Sequence, residues 1–369
     1  MPLRPSLTTL AESLPATVPF VGPETQERQR GRAFRARIGA NENGFGASPR
    51  VAEAMAAAAP QMWKYCDPES HDLKAALAAH HGVAPANIAI GEGIDGLLGL
   101  VVRLYAGAGS AVVTSLGAYP TFNYHVAGFG ARLVTAPYRD DREDIDALLE
   151  LARRENAPLV YLANPDNPMA SWWEAGDGEA VIAALPETTL LVLDEAYCDM
   201  APASALPALD TARPNLLRMR TFSKAYGLAG MRCGYAIGEP QTIQAFDKVR
   251  NHFGMSRMTQ AAAAAALADQ EHLRATIERI DACRRRITAI AADNGLVALP
   301  SATKFVAVDC GGDGAFALKV MNALIGRDVF VRKPMAPGLD RCIRVSCGPE
   351  AEIDIFAEEL PRALAEARA

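Results

Sequence analysis

Residues 216–235 read LLRMRTFSKAYGLAGMRCGY. The stretch opens with an apolar run that ends at Thr221, passes through Ser223 and Lys224, and reaches Arg232 after a glycine-rich turn. A buried strand that ends in small polar and basic residues is typical of the edge at which an α/β sheet meets its ligand. This stretch therefore predicts both a strand and part of a functional site.

Six further short apolar runs alternate with helical patterns around it. Continuous apolar runs separated by helices are what a mostly parallel sheet, buried on both faces, requires. We therefore predict an α/β fold with a seven-stranded main sheet. The predicted strands are 88–90, 111–114, 132–135, 159–162, 190–193, 216–221 and 234–237.

The rest of the chain predicts a second, smaller unit. Residues 259–294 form a long amphipathic pattern that indicates one connector helix, and the first 40 residues indicate an extended arm. The strand-like runs after the connector are 305–309, 329–332 and 342–346. The predicted divisions are an arm that is part of the small domain (1–45), a large domain (46–258), and the connector with a small α+β domain (259–369).

The composition argues against several classes of partner. The 369-residue chain has a net charge of −6 and scattered lysines and arginines, so we expect no nucleic acid to bind. No stretch has the roughly 20 uninterrupted apolar residues that a membrane span needs. Seven cysteines without a CxxC pair favour buried thiols, and the six histidines share no metal-ligand spacing. We predict a cytoplasmic protein with no membrane partner and no metal.

Polar residues follow three of the predicted strands. Asn-Pro-Asp-Asn-Pro occupies 164–168, Asp-Glu-Ala-Tyr occupies 194–197, and Thr-Phe-Ser-Lys occupies 221–224. The carboxyl ends of parallel strands lie at one edge of a sheet, where α/β proteins bind their ligands. These three segments can therefore converge on one small molecule.

A fourth segment allows two interpretations. Gly91, Gly93 and Gly96 follow a predicted strand and precede a helix, as in the GxGxxG turn of a dinucleotide site. Such a site also needs an acidic residue roughly 20 positions on, and none occurs between Gly96 and Asp140. The turn equally suits a phosphate group, because the N–H groups and dipole of a helix N-terminus favour an anion. A dinucleotide-binding oxidoreductase is the distant alternative.

Together, these motifs resemble the fold-type I aminotransferases of class I/II, which use pyridoxal 5′-phosphate (PLP), and most closely their histidinol-phosphate aminotransferase branch. The similarity extends from Asn41 to Gly348. It rests on Lys224 with Arg232 eight residues later, and on Asn-Pro-x-Asn-Pro and Asp-x-x-Tyr at compatible spacings. It implies an aspartate aminotransferase-like fold, PLP in the large domain, and a homodimer.

The resemblance also implies the catalytic roles. Lys224 holds PLP as a Schiff base, since a partly desolvated site near cationic groups lowers the pKa of a lysine enough to allow this. Asp194 faces the pyridine nitrogen and keeps it protonated, so that the ring withdraws electrons. Tyr197 and Asn167 bind the phenolic oxygen of the ring. Lys224, Asp194 and Tyr197 are the expected catalytic residues.

Further cofactor contacts follow from the resemblance. Phe122 stacks on the pyridine ring. Tyr65 reaches the phosphate bound by the neighbouring subunit, so that the two subunits share their active sites. The residues expected to hold the phosphate are Gly93, Ile94, Asp95, Thr221, Ser223 and Arg232.

Substrate binding is expected to depend on two arginines. By resemblance, Arg344 binds the substrate α-carboxylate with support from Asn43, and Arg332 binds a substrate phosphate. Phe20 stands where histidinol-phosphate enzymes carry a phosphate-contacting tyrosine, and it has no hydroxyl. Histidinol phosphate and aromatic or other apolar amino acids are therefore both candidate amino donors. The resemblance implies 2-oxoglutarate as acceptor, a ping-pong mechanism and a role in amino-acid biosynthesis.

One departure from the family pattern lies next to the site. Family members continue Asn-Pro-x-Asn-Pro with Thr-Gly, whereas Met-Ala-Ser-Trp-Trp occupies 169–173 here, which predicts a bulkier and more apolar wall on the substrate side. A decarboxylase of the threonine-phosphate type is the alternative reaction on the same scaffold. A PLP-binding regulator without turnover is disfavoured, because the sequence shows no DNA-binding segment.

Overall fold

Twelve strands form within residues 5–16 and 21–369, which are the residues that the computed structural model describes. They are β1 (Ile88–Gly91), β2 (Ala111–Ser115), β3 (Arg132–Ala136), β4 (Tyr138–Arg139), β5 (Arg142–Glu143), β6 (Leu159–Ala163), β7 (Leu190–Asp194), β8 (Leu216–Thr221), β9 (Gly234–Gly238), β10 (Val297–Ala298), β11 (Phe305–Asp309) and β12 (Cys342–Ser346). All seven predicted strands of the main sheet are confirmed.

The main sheet has the strand order β1-β9-β8-β7-β6-β2-β3. Strands β3, β2, β6, β7 and β8 run parallel to one another, and β9 runs antiparallel to both β8 and β1. Strands β2, β6 and β7 are buried along their whole length, which confirms the mostly parallel sheet. Since β1 therefore runs in the same direction as β8, strands β1, β6, β7 and β8 all end at one edge.

Thirteen α-helices and six 3-10 helices occur in the described ranges. The α-helices are α1 (Thr9–Ser13), α2 (Pro23–Arg30), α3 (Pro49–Ala58), α4 (His71–His81), α5 (Gly93–Tyr105), α6 (Pro120–Gly128), α7 (Ile145–Arg154), α8 (Ala175–Ala184), α9 (Pro240–Gln244), α10 (Arg257–Ala268), α11 (Gln270–Asp293), α12 (Gly314–Gly326) and α13 (Glu350–Arg368). The 3-10 helices are Ala59–Gln61, Pro85–Asn87, Cys198–Met200, Ala203–Ala205, Ala229–Met231 and Ala245–Lys248.

Two helical regions differ from the predictions. The predicted single connector helix is interrupted at Asp269, so that α10 and α11 are separate. Asp269 leaves the helical backbone region (φ −101°, ψ 69°), and its carboxylate accepts the N–H of His272 and the hydroxyl of Ser48. The arm, predicted to be extended, contains α1 and α2, because Thr8 caps the first and Pro23 starts the second.

A three-stranded antiparallel sheet, β10-β11-β12, lies in the C-terminal part of the chain. The predicted strands at 305–309 and 342–346 are confirmed as β11 and β12, and β10 lies outside the predicted strands. The prediction of a strand at 329–332 is wrong, because this segment makes isolated bridges at its two ends. Pro334 follows closely and lacks the N–H that a continuing ladder would use.

The domain boundaries at residues 46 and 259 stay a prediction. One buried apolar cluster contains residues from both sides of these boundaries, among them Val51, Ile88, Ile287 and Val320. The regions assigned to the two domains therefore share a continuous apolar core, which holds the sheets together by burial of apolar area.

The described residues also bear on the predictions about membrane spans and cysteines. No helix in the described part of the chain is both long and apolar enough to span a bilayer. The seven cysteines all lie in the described ranges, and each is free and buried. Their thiols therefore behave as small apolar side chains within the core.

Candidate active site

A cavity of about 240 Å³ lies at the edge where β1, β6, β7 and β8 end. The segments that follow these strands line it, together with the turn at residues 40–42. The sheet topology thus brings together the segments that the sequence predicts to converge. The lining residues are Ala40, Asn41, Glu42, Ile94, Asp95, Tyr119, Tyr161, Ala163, Pro165, Asn167, Asp194, Ala196, Tyr197, Thr221, Ser223, Lys224, Ala229 and Arg232.

Lys224 follows β8 and lines this cavity. Its Nζ donates to the carbonyl oxygen of Asn41 at 3.3 Å. Burial of the side chain and the positive charge of Arg344 lower the pKa of Lys224 to about 8, although Asp194 opposes the change. The neutral, nucleophilic amine is therefore accessible near neutral pH.

Asp194 ends β7 and lines the same cavity. Its Oδ2 accepts the hydroxyl of Tyr161 at 2.7 Å, and its Oδ1 accepts the backbone N–H of Ala196 at 2.9 Å. Burial raises the pKa of Asp194 to about 6, while these two hydrogen bonds and the charge of Lys224 hold it down. A buried carboxylate of this kind favours a cationic atom on a bound ligand.

The next residue, Glu195, carries a second buried carboxylate that is neutralised elsewhere. Glu195 accepts from Arg218 Nε at 3.0 Å and from Arg220 Nε at 2.8 Å. Burial would raise the pKa of Glu195, but the two arginines outweigh it and lower the pKa. Side chains alternate along a strand, so Asp194 serves the cavity while Glu195 is bound in the protein interior.

Tyr197 and Asn41 form a hydrogen-bonded pair that lines the cavity. Asn41 Nδ2 donates to the hydroxyl oxygen of Tyr197 at 2.6 Å, so the proton of Tyr197 stays available to an acceptor on a ligand. Burial raises the pKa of Tyr197, which keeps this proton in place. Among the described residues, the buried Oδ1 of Asn41 has no protein partner, and it is oriented by a positive φ of 62°.

The N-terminus of α5 forms another wall. Gly93 starts α5 with a φ of +77°, and a Cβ there would lie 2.8 Å from Nη2 of Arg232. A Cβ on Gly234 would meet the backbone nitrogen of Ile94 at 2.7 Å. Both positions therefore require glycine, and the resulting close approach places a guanidinium against a helix N-terminus. The N–H groups, the helix dipole and the arginine all favour an anion there.

Two hydroxyl groups complete the polar wall of the cavity. Thr221 Oγ1 lies 2.9 Å from Ser223 Oγ and 3.1 Å from the carbonyl oxygen of Cys233. The backbone N–H of Ser223 donates to Thr221 Oγ1 at 3.0 Å, which fixes the orientation of both. Every residue expected to hold the phosphate lines the cavity except Gly93, which adjoins it.

Arg344 and Arg332 are neighbours that do not line the cavity themselves, and Arg344 adjoins it through Asn167. They form an isolated antiparallel bridge, in which the N–H of Arg344 donates to the carbonyl of Arg332 at 2.6 Å. Arg344 Nη1 donates to Oδ1 of Asn167, and Arg332 Nη2 donates to the carbonyl of Val21 at 2.7 Å. Among the described residues, the buried Nε atoms of both arginines have no protein partner. The pair therefore offers unused donors and positive charge to an anion.

Phe122 does not reach the cavity. It is fully buried and stacks on Tyr161, with ring centroids 4.6 Å apart and planes at 19°. Tyr119, three residues earlier, lines the cavity instead. Because α6 starts at Pro120, Tyr119 stays in the turn at the sheet edge while Phe122 faces the core. The structure thus corrects the assignment of Phe122 to this wall.

Asn43 and Tyr65 also lie away from the cavity. Asn43 Nδ2 donates to the carbonyl of Ala225 at 3.0 Å, so its side chain supports the backbone after Lys224 and does not bind Arg344. The Tyr65 side chain is 79% exposed. Phe20, whose position is predicted to face the substrate phosphate, lies outside the described residues.

Four cavity residues with polar side chains are missing from the sequence predictions: Asn41, Glu42, Tyr119 and Tyr161. The signal for Tyr161 was available, because a tyrosine in a fully buried strand must find a partner for its hydroxyl. The sequence indicates Asn41 and Tyr119 less clearly. Asn43 lies two residues from Asn41 and Phe122 three residues from Tyr119, and each fits the family motif equally well.

The arrangement around Lys224 and Asp194 meets the requirements of PLP. An amine binds its aldehyde, a buried carboxylate keeps its ring nitrogen protonated, and an anion site accepts its phosphate. The unpartnered Oδ1 of Asn41 and the free proton of Tyr197 leave polar atoms for the ring substituents. The fold and the site together define a PLP-dependent α/β enzyme.

The chain belongs to the aminotransferase class I and II family, whose family model matches residues 37–360. Its relatives include histidinol-phosphate aminotransferase 1 of Mesorhizobium japonicum, 36% identical over 336 residues, which cover 89% of this chain and 90% of the relative. Histidinol-phosphate aminotransferase 2 of Ralstonia nicotianae is 37% identical, with 90% of each chain covered. The enzyme is therefore a PLP-dependent aminotransferase, and this family excludes the dinucleotide oxidoreductase.

Solved structures agree. A histidinol-phosphate aminotransferase from Sinorhizobium meliloti, in complex with pyridoxal 5′-phosphate, is 60% identical, has a TM-score of 0.94, and covers 97% of both chains. The aspartate aminotransferase of Thermus thermophilus, at 21% identity and a TM-score of 0.80 over 98% of this chain and 100% of that one, shows the shared fold. The predicted aspartate aminotransferase-like fold is confirmed.

The loop after β6 is held by its own side chains. Asn164 Oδ1 accepts the N–H of Trp173 at 2.9 Å, and its Nδ2 donates to the carbonyl of Ala205 at 2.9 Å. Met169 is buried in a small apolar cluster with Leu339 and does not line the cavity. Met169 therefore adds no bulk to this cavity, because its side chain packs into the core. The bulkier substrate-side wall predicted from residues 169–173 stays a prediction.

Ala170, in the same loop, gives the first test. It is fully buried with a φ of +66°, a backbone region in which an L-residue with a Cβ is strained. We expect Ala170→Gly to raise the free energy of unfolding by up to ~1 kcal/mol, measured by urea denaturation. The matched control is Gly227→Ala at a φ of +72°, which should be destabilising because its Cβ would lie 2.6 Å from the Gly46 carbonyl oxygen. A destabilised Ala170→Gly variant would contradict the expectation.

The lowered pKa of Lys224 gives the second test. Only the neutral amine reacts with the PLP aldehyde, so the rate of PLP incorporation into cofactor-free enzyme should rise with pH and level off above about 8. For a lysine with its ordinary pKa of 10.5, the rate would still be rising at that point. Stopped-flow absorbance measures this rate, and Lys224→Ala, which should form no covalent complex, is the control. A rate without a plateau would show an unperturbed lysine.

Proposed function

We propose that this aminotransferase moves the amino group of histidinol phosphate to 2-oxoglutarate by a ping-pong mechanism. The observation that carries this proposal is the pair of neighbouring guanidinium groups on Arg332 and Arg344. Opposite residues of an antiparallel bridge direct their side chains to the same face. Arg344 contacts Asn167, and the charge of Arg332 is close enough to lower the pKa of Arg344. The names of the curated relatives support the same donor.

A phosphate monoester fits this pair better than an apolar side chain would. Each arginine presents a buried Nε without a protein partner among the described residues, and burial lowers the pKa of both groups. A dianion would satisfy these donors and compensate both charges. In a ping-pong reaction the donor product leaves before the acceptor enters, so a carboxylate of 2-oxoglutarate would use Arg344 in its turn.

The residues at the strand ends would divide the chemistry among them. Bound PLP supplies a ring that withdraws electrons from the substrate carbon. Lys224 would hold the cofactor covalently and, once released by the substrate, carry a proton between that carbon and the cofactor. Asp194 would keep the ring nitrogen protonated, and Tyr197 and Asn167 would donate to the phenolic oxygen.

The remaining contacts hold the cofactor in place. We assign Tyr119, in place of Phe122, to the face of the pyridine ring, because Tyr119 lines the cavity. The phosphate group would bind at the N-terminus of α5, with Arg232 as a bidentate clamp. The residues assigned to it are Gly93, Ile94, Asp95, Thr221, Ser223 and Arg232.

We propose a homodimer in which Tyr65 enters the site of the partner subunit. Tyr65 packs on Phe253 with ring centroids 5.0 Å apart, and both rings are more than half exposed, as is Trp63. Gly254 lies against the carboxylate of Glu92, which directly precedes α5, so this aromatic surface borders the phosphate site. A two-fold interface over this surface would bury the rings and exchange Tyr65 between subunits.

The location and the domain division are proposals of the same kind. Seven free, buried thiols support a cytoplasmic location, where thiols stay reduced. We retain residues 46–258 as the PLP-binding domain because this range contains every strand of the main sheet.

Removing the Arg332 side chain tests the donor. Arg332→Ala should raise KM for histidinol phosphate by about tenfold or more, because a charge-assisted pair with the phosphate is lost. KM for phenylalanine, which has no phosphate, should change little. Steady-state kinetics with both donors measure the difference, and Arg332→Lys, which keeps the charge, should lie between. Equal losses for both donors would mean that Arg332 acts through its bond to Val21.

The shared site has its own test. Tyr65→Phe should weaken PLP binding by one hydrogen bond, roughly 0.5–1.5 kcal/mol, measured as the PLP dissociation constant. Tyr124→Phe, at a tyrosine that is 46% exposed, is the control and should bind PLP normally. Activity should fall upon dilution in step with dimer dissociation, followed by sedimentation velocity. Full activity in dilute monomer would exclude a shared site.

A further inference from the structure

The hydroxyl of Tyr161 lies directly behind the carboxylate of Asp194. It donates to Asp194 Oδ2 at 2.7 Å, and the backbone N–H of Ala196 donates to Oδ1 at 2.9 Å. Both carboxylate oxygens therefore have a protein donor, and both side chains line the cavity. Because Tyr161 lies in β6 and Asp194 in β7, adjacent parallel strands fix the distance between them.

The Tyr161 ring is itself held rigidly. Its side chain is fully buried and lies in a nearly parallel stack with Phe122, also fully buried, with 4.6 Å between ring centroids. A stacked ring in a close-packed core has one orientation. The hydroxyl therefore points at Asp194 without an entropic cost when a ligand binds.

We propose that Tyr161 is a positioning residue, which keeps Asp194 ionised and aimed at the ring nitrogen of PLP. This inference rests on the proposed role of Asp194. A carboxylate buried without donors would take up a proton, and a protonated Asp194 could not hold a positive charge on the ring nitrogen. The Tyr161 hydroxyl stabilises the charged form of the carboxylate through a charge-assisted hydrogen bond.

The proton of the Tyr161 hydroxyl stays on the tyrosine. Burial and the neighbouring charge of Asp194 raise the pKa of Tyr161 far above its ordinary range, and Glu143 acts in the same direction. Tyr161 therefore keeps its proton and donates it in a hydrogen bond to the ionised Asp194. The sequence resemblance assigns Phe122 to the cofactor ring. In the structure Phe122 packs against Tyr161, which in turn contacts Asp194.

The test compares PLP with its 1-deaza analogue, in which carbon replaces the ring nitrogen. Tyr161→Phe keeps the aromatic ring and its stacking and removes only the hydroxyl. Equilibrium dialysis against cofactor-free enzyme should show PLP binding about tenfold or more weakly to this variant. The analogue should bind wild-type and variant enzyme within about twofold of each other, because no ring nitrogen is present for Asp194 to hold.

Two further variants sharpen the test. In the Asp194→Asn background, Tyr161→Phe should change PLP affinity by less than about threefold, because no carboxylate charge is left to stabilise. Phe122→Leu leaves every polar group in place but frees the Tyr161 ring, so it should weaken PLP relative to the analogue in the same direction. It also keeps the inference testable if Tyr161→Phe does not fold, which thermal unfolding of the cofactor-free variants will show.

The outcomes separate this inference from the proposals on which it rests. Equal weakening of PLP and the analogue by Tyr161→Phe would overturn it, and so would unchanged PLP affinity. If wild-type enzyme does not distinguish PLP from the analogue, the role of Asp194 at the ring nitrogen fails as well. None of these measurements uses an amino donor, so they are independent of whether histidinol phosphate is the substrate.

Discussion

The common direction of β1, β6, β7 and β8 determines where every group of the active site lies. Backbone hydrogen bonds tie the strand ends to one another: the N–H of Asn164 donates to the carbonyl of Asp194 at 2.9 Å, and that of Glu195 donates to Met219 at 2.8 Å. A side chain placed one residue past a strand end therefore has little freedom to move. The proximity of an amine and a carboxylate, which would otherwise cost conformational entropy, is built into the sheet.

Basic side chains cluster beside the cavity. Lys224 and the fully buried Lys304 donate to the consecutive carbonyls of Asn41 and Glu42, and Arg344 lies nearby. Burial lowers the pKa of both lysines, and repulsion from Arg344 acts on each in the same direction. An anionic cofactor and anionic substrates relieve that repulsion, so ligand binding and charge compensation are the same event.

The sequence predicts the main sheet and most of the polar side chains of the cavity because both depend on local signals. Continuous apolar runs mark buried strands, and a lysine, an aspartate or an arginine just past a strand end is placed by the sheet alone. The side-chain positions of Phe122 and Asn43 do not follow from such signals. They depend on the residue at which α6 starts and on the positive φ of Asn41. The break at Asp269 combines a local cap, the bond to the N–H of His272, with a bond to Ser48, a partner more than 200 residues away that no local pattern contains.

The seven buried thiols have a practical consequence. An alkylating reagent reaches a buried cysteine only when the surrounding structure opens, so each labelling rate reports the opening free energy of one region. Cys66 would report on the segment beside the exposed aromatic rings, Cys233 on the start of β9, and Cys310 and Cys342 on the second sheet, at the end of β11 and in β12. Mass spectrometry of partly labelled protein would thus give a map of local stability, with no engineered probe.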